Sequence, residues 1–399
     1  MSDLRRKLSL FDGAALLIGG VIGSGIFVVP SLIAQRVPDP GIVIGIWVFS
    51  GLLVLCGALT LAELGAMLPQ SGGLYVYMRE AYGPFWAFLY GWTIMLVVIP
   101  GSLAALTAAF FLYLRQFIEL PVWGEKALGL ILLFGLASIN ARGVKQGAGV
   151  QNLFTVLKVG GLAGLVVLAI VTQQGSASNF LPAAPPELSM GLFAAIGVSM
   201  IATLFAYDAW QFVSFVAGEI KDPARNVVRS IVLGVSVVIA VYVAANLAYI
   251  FVLGQERIAA SPRVATEAMT AMVGPSGGTV MTLAILCSIF GAISANILAA
   301  PRVFFAMARD GRLFPTLAVV HPTYETPANA IWALAIWSGV LTLTGGFEHL
   351  ITMSQFANWI FFTMVVYSVV VLRRTHPDWP RPYRVAAYPV PVLVFVVVR

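Results

Sequence analysis

Residues 19–27 read GGVIGSGIF, and this glycine-rich stretch interrupts an apolar run that extends from about residue 11 to residue 35. Glycine occupies four of the first seven positions, and each glycine disfavours a continuous helix by about 1 kcal/mol relative to alanine. One interpretation is close packing of helices through small residues. The other is a helix break at which free backbone N–H groups line a cavity and bind an anion such as a carboxylate.

The composition of the whole chain is that of a membrane protein. Of its 399 residues, 60% are hydrophobic and 10% are charged, whereas soluble domains carry roughly 25% charged residues. The net charge of +6 does not indicate a nucleic-acid partner, because the basic residues lie in short loops between apolar runs. We therefore expect a protein of the lipid bilayer, in the cell membrane, that does not bind nucleic acid.

Apolar runs long enough to cross a bilayer, about 20 residues each, recur along the chain. The predicted spans are 11–35, 41–67, 84–114, 125–141, 151–172, 190–216, 227–253, 276–300, 328–345 and 349–372, followed by a run over 388–399. The sequence thus predicts an all-α integral membrane protein, one transmembrane domain over residues 1–399, with ten full spans and a partial eleventh.

Lysine and arginine are distributed unequally between the two sets of loops. Sixteen lie in the set that contains the N-terminus, and five lie in the alternate set. Because cytoplasmic loops carry the excess of basic residues, we expect the N-terminus to be cytoplasmic.

A second unusual stretch, FAYDAW at residues 205–210, lies in the sixth predicted span. The carboxylate of Asp208 is costly near the middle of an apolar run, roughly 2.5–3.5 kcal/mol. Asp208 is either a cation or proton site, or it caps a helix that resumes after a break. The second interpretation is favoured because Asp208 precedes the resumed helix by one turn. Carbonyls freed before such a break would attract a cation.

Lys158 lies about eight residues into the fifth predicted span. Its ammonium group either reaches the membrane surface along its flexible stem or remains inside as a fixed cation. In the second case it would lie against carbonyl oxygens freed by a helix break and replace a bound sodium ion. Asn296, also inside a predicted span, could face a cavity or form a hydrogen bond between helices.

The two interrupted spans occupy corresponding places in the two halves of the chain. Such a pattern is typical of inverted repeats with a substrate site at the midplane, here repeat one at about 11–172 and repeat two at about 190–372. No phosphate-binding loop, metal-ligand spacing or catalytic constellation accompanies them. We therefore expect no enzyme activity, no cofactor and no metal.

Several stretches resemble one family. These are GGVIGSGIF (19–27), AELGAMLPQSGGLYVYMREAYGPFWAFLYGW (62–92), FAYDAWQFVSFVAGEIKDPARNVVRSI (205–231) and SIFGAISANILAAPRVFFAMARDGRLFP (288–315). The chain resembles, over nearly its whole length, the amino acid–polyamine–organocation (APC) superfamily, in the bacterial branch of the L-type amino acid transporters (LAT). The resemblance implies a LeuT-type fold, a 5+5 inverted repeat with broken helices 1 and 6.

The resemblance also implies the residues of a substrate site. Backbone N–H groups that would bind the substrate carboxylate belong to Ser24, Gly25 and Ile26. Carbonyls that would bind the α-ammonium group belong to Val21, Ile22, Phe205, Ala206 and Asp208. Phe205 would cover the substrate, and the rest of the pocket would lie near Gln211, Phe212, Asn296 and Trp359. Lys158 matches the fifth-span lysine of sodium-independent members.

The function implied by the resemblance is sodium-independent transport of L-amino acids by alternating access, as an exchanger (antiporter). Two alternatives stay open: proton- or sodium-coupled uptake with Asp208 or Glu219 as the coupling acid, and a non-transporting amino acid sensor. The family usually has twelve spans, so this chain is shorter by its last spans. Heteromeric members carry a cysteine between spans three and four. Residues 114–126 contain none, so no disulfide-linked heavy subunit is expected.

Overall fold

The computed structural model describes residues 4–182, 189–344 and 347–398, with the side chains of residues 347–357 excepted. Within these ranges the regular secondary structure is helical, and one bridge pairs the backbone of Leu8 with that of Ile220. The helices are α1 (Leu10–Val21), α2 (Gly25–Ala34), α3 (Pro40–Met67), α4 (Leu74–Tyr82), α5 (Pro84–Thr93), α6 (Ile99–Leu114), α7 (Val122–Ala141), α8 (Val144–Thr172), α9 (Met190–Ala206), α10 (Phe212–Phe215), α11 (Pro223–Ala260), α12 (Val264–Val273), α13 (Pro275–Ala299), α14 (Pro301–Arg309), α15 (Ala328–Thr344), α16 (Phe347–Thr375) and α17 (Val390–Val398).

Seven helical segments of the described chain are long and apolar enough to cross a membrane. They are Leu10–Ala34, Pro40–Met67, Pro84–Leu114, Val122–Ala141, Val144–Thr172, Pro223–Ala260 and Pro275–Arg309. Shorter apolar helices occupy Met190–Ala206, Val264–Val273 and Ala328–Thr344. The chain is a multi-pass, all-α membrane protein, as its composition predicts.

The helix bounds refine the predicted spans. The sixth predicted span, 190–216, is continuously helical only to Ala206, because the backbone turns at residues 207–211. The predicted tenth span falls within α16, and part of it lies outside the described side chains. The run from about 388 contains the short helix α17. The helices α4 and α12 lie between predicted spans.

The starts of α1 and α3 carry local signals that the sequence contains. The N–H group of Asp12 donates to Ser9 Oγ at 3.2 Å, and the N–H group of Ser9 donates to Asp12 Oδ2 at 2.7 Å. This capping box satisfies N–H groups that have no partner within the helix. At α3, Asp39 Oδ1 accepts the N–H of Ile42 at 2.8 Å, and Pro40 takes the first helical position.

The interrupted helix α1 lies inside a cage of longer helices. It packs against α8, α11 and α13, while α11 also packs along α3 and α13 packs along α8. Side chains of these surrounding helices therefore reach the end of α1, where the apolar run is interrupted.

Candidate functional site

The first helix interruption separates α1 from α2 at residues 22–24, which we call the first break. Ile22 leaves helical geometry at ψ 82°, and the N–H of Gly23 donates to the carbonyl of Val21 at 2.8 Å. The first N–H groups of α2, which begins at Gly25, have no acceptor within the helix. The positive end of the helix dipole adds to their preference for an anion.

The second interruption, residues 207–211, separates α9 from α10, and we call it the second break. Ala209 there adopts φ +82°, a left-handed conformation that is unfavourable for a residue with a side chain. The helix that resumes, α10, has four residues. The second break is therefore a strained turn that the surrounding structure holds in place.

The carboxylate of Asp208 accepts hydrogen bonds inside the second break. Its Oδ1 accepts the N–H of Ala209 at 2.7 Å and the side-chain amide of Gln211 at 3.3 Å. Its Oδ2 accepts the side-chain amide of Asn358 at 3.3 Å. The carboxylate thus accepts a backbone N–H inside the break, as the capping interpretation of Asp208 expects, whereas the N-cap position of α10 is Gln211, whose side chain forms no capping hydrogen bond. The turn presents the N–H of Ala209 to the carboxylate before the helix begins.

Glycines of α1 and α2 bring the two breaks into contact. A Cβ atom at Gly25 would lie 2.8 Å from both Cα and Cβ of Ala206, closer than real Cβ atoms approach. A Cβ atom at Gly20 would lie 3.2 Å from Cβ of Ala209. The glycine-rich stretch thus combines a helix break with close packing, the two interpretations that the sequence leaves open.

Tyr242 of α11 connects the two breaks through one hydroxyl group. Its Oη lies 2.9 Å from the carbonyl oxygen of Val21 and 3.0 Å from that of Ala206. The side chain is fully buried. Because a hydroxyl has one proton, Tyr242 donates to one of these carbonyls at a time and lies within reach of both helix ends.

Lys158 of α8 points into the protein instead of towards its surface. The side chain is 1% exposed, and its Nζ donates to the carbonyls of Gly19, Ile22 and Ser288, each at 2.8 Å. The hydroxyl of Ser288 lies 3.0 Å from the Ile22 carbonyl oxygen. A fixed positive charge therefore holds the end of α1 against α13.

Several of the expected carbonyl acceptors already have protein donors. The carbonyls of Ile22 and Phe205 each accept two hydrogen bonds from the protein, and that of Val21 accepts one from Gly23 and shares the single proton of Tyr242 with Ala206. A carbonyl oxygen has two lone pairs. In this conformation a substrate ammonium group would have to displace one of these donors, whereas Ala206 accepts only Tyr242 among the described residues.

A cavity of about 80 Å³ lies between the two breaks. One water needs about 10–15 Å³ of such space, so the cavity has room for a molecule of several heavy atoms. It is lined by Gly20, Val21, Gly23, Ser24, Gly25, Val98, Ile99, Ser102, Ala105, Leu106, Phe205, Ala206, Asp208, Ala209, Gln211, Phe212 and Asn296. Nine of the residues that the sequence analysis singles out are brought together in this lining.

The other singled-out residues lie outside the lining. Ile22 and Ile26 are fully buried beside the first break, and Lys158 lies behind it. Trp359 is half-buried and is not among the described residues that line the cavity. Asn296 does line the cavity, and its amide donates to the carbonyl of Ala292 within its own helix at 2.9 Å.

The cavity wall formed by the start of α6 and the turn before it was not expected from the sequence. Val98, Ile99 and Ser102 line the cavity next to the π-helical turn Ile94–Val98, a feature that often accompanies functional sites. Pro100 inside the third predicted span was a signal for this irregularity. Tyr242 was also missed, because it is one of several tyrosines inside the predicted spans and nothing in the sequence distinguishes it.

The described residues contain no group of three or more His, Cys, Asp and Glu side chains that could hold a metal ion. Cys56 and Cys287 are both free thiols. The polar residues among those that line the cavity are Ser24, Ser102, Asp208, Gln211 and Asn296.

Comparison with known proteins identifies relatives over the whole chain. A family model described as amino acid permease matches residues 8–398. A serine/threonine exchanger of Bacillus subtilis (strain 168) is 33% identical over 98% of this chain and 89% of its own length.

Two mammalian relatives are about as similar. The b(0,+)-type amino acid transporter 1 of Mus musculus is 30% identical, over 99% of this chain and 82% of its own length. The large neutral amino acids transporter small subunit 2 of Mus musculus is 31% identical, over 98% of this chain and 75% of its own length.

Proposed function

This chain belongs to the amino acid permease family of the APC superfamily, and we propose that it exchanges L-amino acids across the membrane without sodium. It is a membrane transporter and not an enzyme. The relatives named above are an exchanger and two amino acid transporters, which supports amino acid transport here.

The observation that carries the proposal is the contact of the two breaks around one cavity. The N–H groups at the start of α2 favour the substrate carboxylate. The carboxylate of Asp208 and the carbonyl of Ala206 offer partners for the α-ammonium group. These groups would read what all amino acids share, while Gln211, Phe212 and Asn296 would select among side chains.

The position of Lys158 supports sodium independence. Its ammonium occupies a cage of three backbone carbonyl oxygens, and such oxygens are the ligands that sodium finds at broken helices. In our proposal the fixed charge replaces the ion, so that α1 keeps its position relative to α13 whether or not sodium is present.

Exchange would follow from the role of the substrate as a bridge. An amino acid in the cavity contacts both breaks, one in each half of the chain. By joining the two halves, it lowers the free energy of the conformations through which they move together during transport. A transporter with an empty cavity lacks this bridge and changes conformation slowly.

We further propose that the halves, about 11–172 and 190–372, are LeuT-type inverted repeats and that the N-terminus is cytoplasmic.

A second candidate function is proton-coupled uptake with Asp208 as the coupling acid. The observation in its favour is that this carboxylate lines the cavity beside amide donors. Glu219, the other acid considered, forms a buried ion pair with Arg302 at 2.6 Å, so its charge has a structural role.

With both cysteines free and none in residues 114–126, we propose that no disulfide-linked subunit is required.

Uptake into proteoliposomes tests the proposal. Purified protein is reconstituted and given labelled L-serine, L-leucine or L-arginine, with and without unlabelled amino acid inside, in sodium and in choline buffers. We expect uptake only with amino acid inside and at equal rates in the two buffers. Uptake into empty vesicles driven by a proton or sodium gradient would overturn exchange, and binding in detergent without any uptake would favour the sensor.

A further inference from the structure

The chain segment that follows α16 is tied to the end of α3 by one buried carboxylate. Glu63 is 1% exposed. Its oxygens accept from Arg373 Nε at 2.9 Å and Nη2 at 2.6 Å, and from the N–H of Val385 at 2.7 Å. Arg373 belongs to α16, and Val385 lies in the segment that leads to α17, which begins five residues later, so Glu63 anchors both to α3.

Phe395 of α17 fits a slot that a glycine provides. The ring is 0% exposed, and a Cβ atom added at Gly57 of α3 would overlap it. Gly45 of the same helix has no atom within 4 Å of such a Cβ position. Because Gly57 has no side chain, the ring of Phe395 fits against the face of α3 on which this glycine lies.

Phe395 contacts Trp210, a residue of the second break. The two ring centroids are 6.0 Å apart at 72°, an edge-to-face contact. On its other side Trp210 stacks on Phe362, with centroids 5.3 Å apart and an angle of 21°. Trp210 is 1% exposed, so its indole is enclosed between α16 and α17.

Trp210 directly follows the strained residue of the second break. Ala209 holds φ +82°, and such a conformation persists only where neighbouring structure enforces it. Ala209 and Gln211, which flank Trp210, both line the cavity. The position of the indole therefore sets the position of two cavity-lining residues.

We propose that Phe395 is a positioning residue for the substrate site, acting through Trp210 on the second break. The helix α17, held by Glu63 and seated at Gly57, is in this view part of the binding machinery and not only a peripheral span. The inference rests on the proposed function for its substrate. The contact that it invokes does not depend on which amino acid is carried.

Exchange kinetics of Gly57→Ala test the proposal, with Gly45→Ala as the matched control. Both substitutions favour the helix equally, but only the first displaces the ring. We expect Gly57→Ala to raise KM for the external amino acid at least threefold with Vmax and protein yield within twofold of wild type. Gly45→Ala should change neither. Equal kinetics of the two variants, or a fall in Vmax alone, would overturn the proposal.

Phe395→Ala and the double variant Gly57→Ala/Phe395→Ala provide the second arm. Once the ring is absent, the added methyl group has nothing to displace, so the double variant should match Phe395→Ala in KM. A rise in KM of the double variant equal to the product of the two single-variant rises would contradict the proposed route through Phe395. If Gly57→Ala does not accumulate, Phe395→Leu takes its place, with a smaller rise in KM than Phe395→Ala expected and no rise counting against the proposal.

A labelling experiment separates failure of this inference from failure of the proposed function. Gln211→Cys is introduced in a Cys56→Ala/Cys287→Ala background, and its reaction rate with a small methanethiosulfonate reagent is measured in detergent. Phe395→Ala should change that rate at least threefold even if no amino acid is transported. An unchanged rate would refute the positioning role, whereas absent transport in wild type would refute only the proposed function.

Discussion

The ammonium nitrogen of Lys158 lies 2.8 Å from the carbonyl oxygen of Ile22, the first residue after α1. This contact joins the fifth predicted span to the first break. It places a positive charge where the backbone has lost its helical hydrogen bonds. The consequences of this geometry can be tested residue by residue.

Lys158→Ala should reduce exchange at least tenfold. The substitution leaves three buried carbonyls without their charged donor, and a hydrogen bond from a charged group contributes about 1.5–3 kcal/mol. Initial rates in proteoliposomes, normalised to reconstituted protein, measure the effect. Lys221→Ala is the control, because Lys221 is exposed. Exchange at the wild-type rate in Lys158→Ala would rule out a role for the ammonium.

Tyr242→Phe should lower the exchange rate about fivefold, because the hydroxyl that reaches both breaks is removed and a hydrogen bond of about 1 kcal/mol is lost. Tyr249→Phe is a close control on the same helix. Its hydroxyl is buried and has no partner among the described residues, so its removal should be neutral. Similar rates for the two variants would show that the Tyr242 hydroxyl does not matter.

Gly25→Ala should abolish transport, leaving less than a tenth of the wild-type rate. The new Cβ would lie 2.8 Å from backbone and side-chain atoms of Ala206, so no side-chain rotation relieves the clash and the breaks must separate. Gly197→Ala on α9 has open space at its Cβ position and should transport normally. A functional Gly25→Ala would show that the breaks need not touch.

Glu219→Gln should destabilise the protein by about 3–5 kcal/mol, because it leaves the buried guanidinium of Arg302 without its counter-charge. Thermal unfolding in detergent should show a melting point lower by several degrees. Glu125→Gln breaks a pair with Arg115, whose side chain is 57% exposed so that its charge stays in contact with solvent, and should have a much smaller effect. Equal melting points for the two variants would contradict the difference in burial.

The carboxylate of Glu325 should stabilise its contacts with the N-terminal segment at neutral pH but not in acid. Contact with Lys7, with a further contribution from Arg5, lowers the pKa of Glu325 from its ordinary value of 4.5. A carboxyl whose pKa is lowered on folding contributes stability above its ordinary value, and this contribution is lost as the pH falls through the lowered pKa.

Hydrogen exchange of residues 4–9 measures this contribution. At neutral pH, Glu325→Gln should exchange faster than wild type in this segment. The difference should diminish as the pH falls below about 4.5 and vanish once the pH is below the lowered pKa of Glu325. Glu119→Gln, at an exposed position in a different loop, should show no difference at any pH. A difference that persists in acid would argue against the carboxylate as the cause.

The sequence by itself determined the helical spans, the two interruptions and the family. A bilayer requires about 20 consecutive apolar residues per helix, and that requirement is local, so seven membrane-length segments of the described chain fall on predicted spans. The interruptions are local as well, since glycines at 19–25 and Asp208 disfavour a continuous apolar helix where they stand. The sequence did not show that the chain turns at Ala209 before α10 begins, because its φ of +82° is held by packing from distant parts of the chain.

Only the tertiary structure decided which side chains meet at the breaks. Lys158 contacts Gly19 across 139 positions and Tyr242 contacts Val21 across 221, and Phe395 reaches Trp210 from near the other end of the chain. In a bilayer the lipid is as apolar as the protein interior, so the faces of a span that point to lipid and to protein do not differ clearly in hydrophobicity. The rotation of each helix, and hence its partners, therefore follows from packing around the glycines and the buried polar groups.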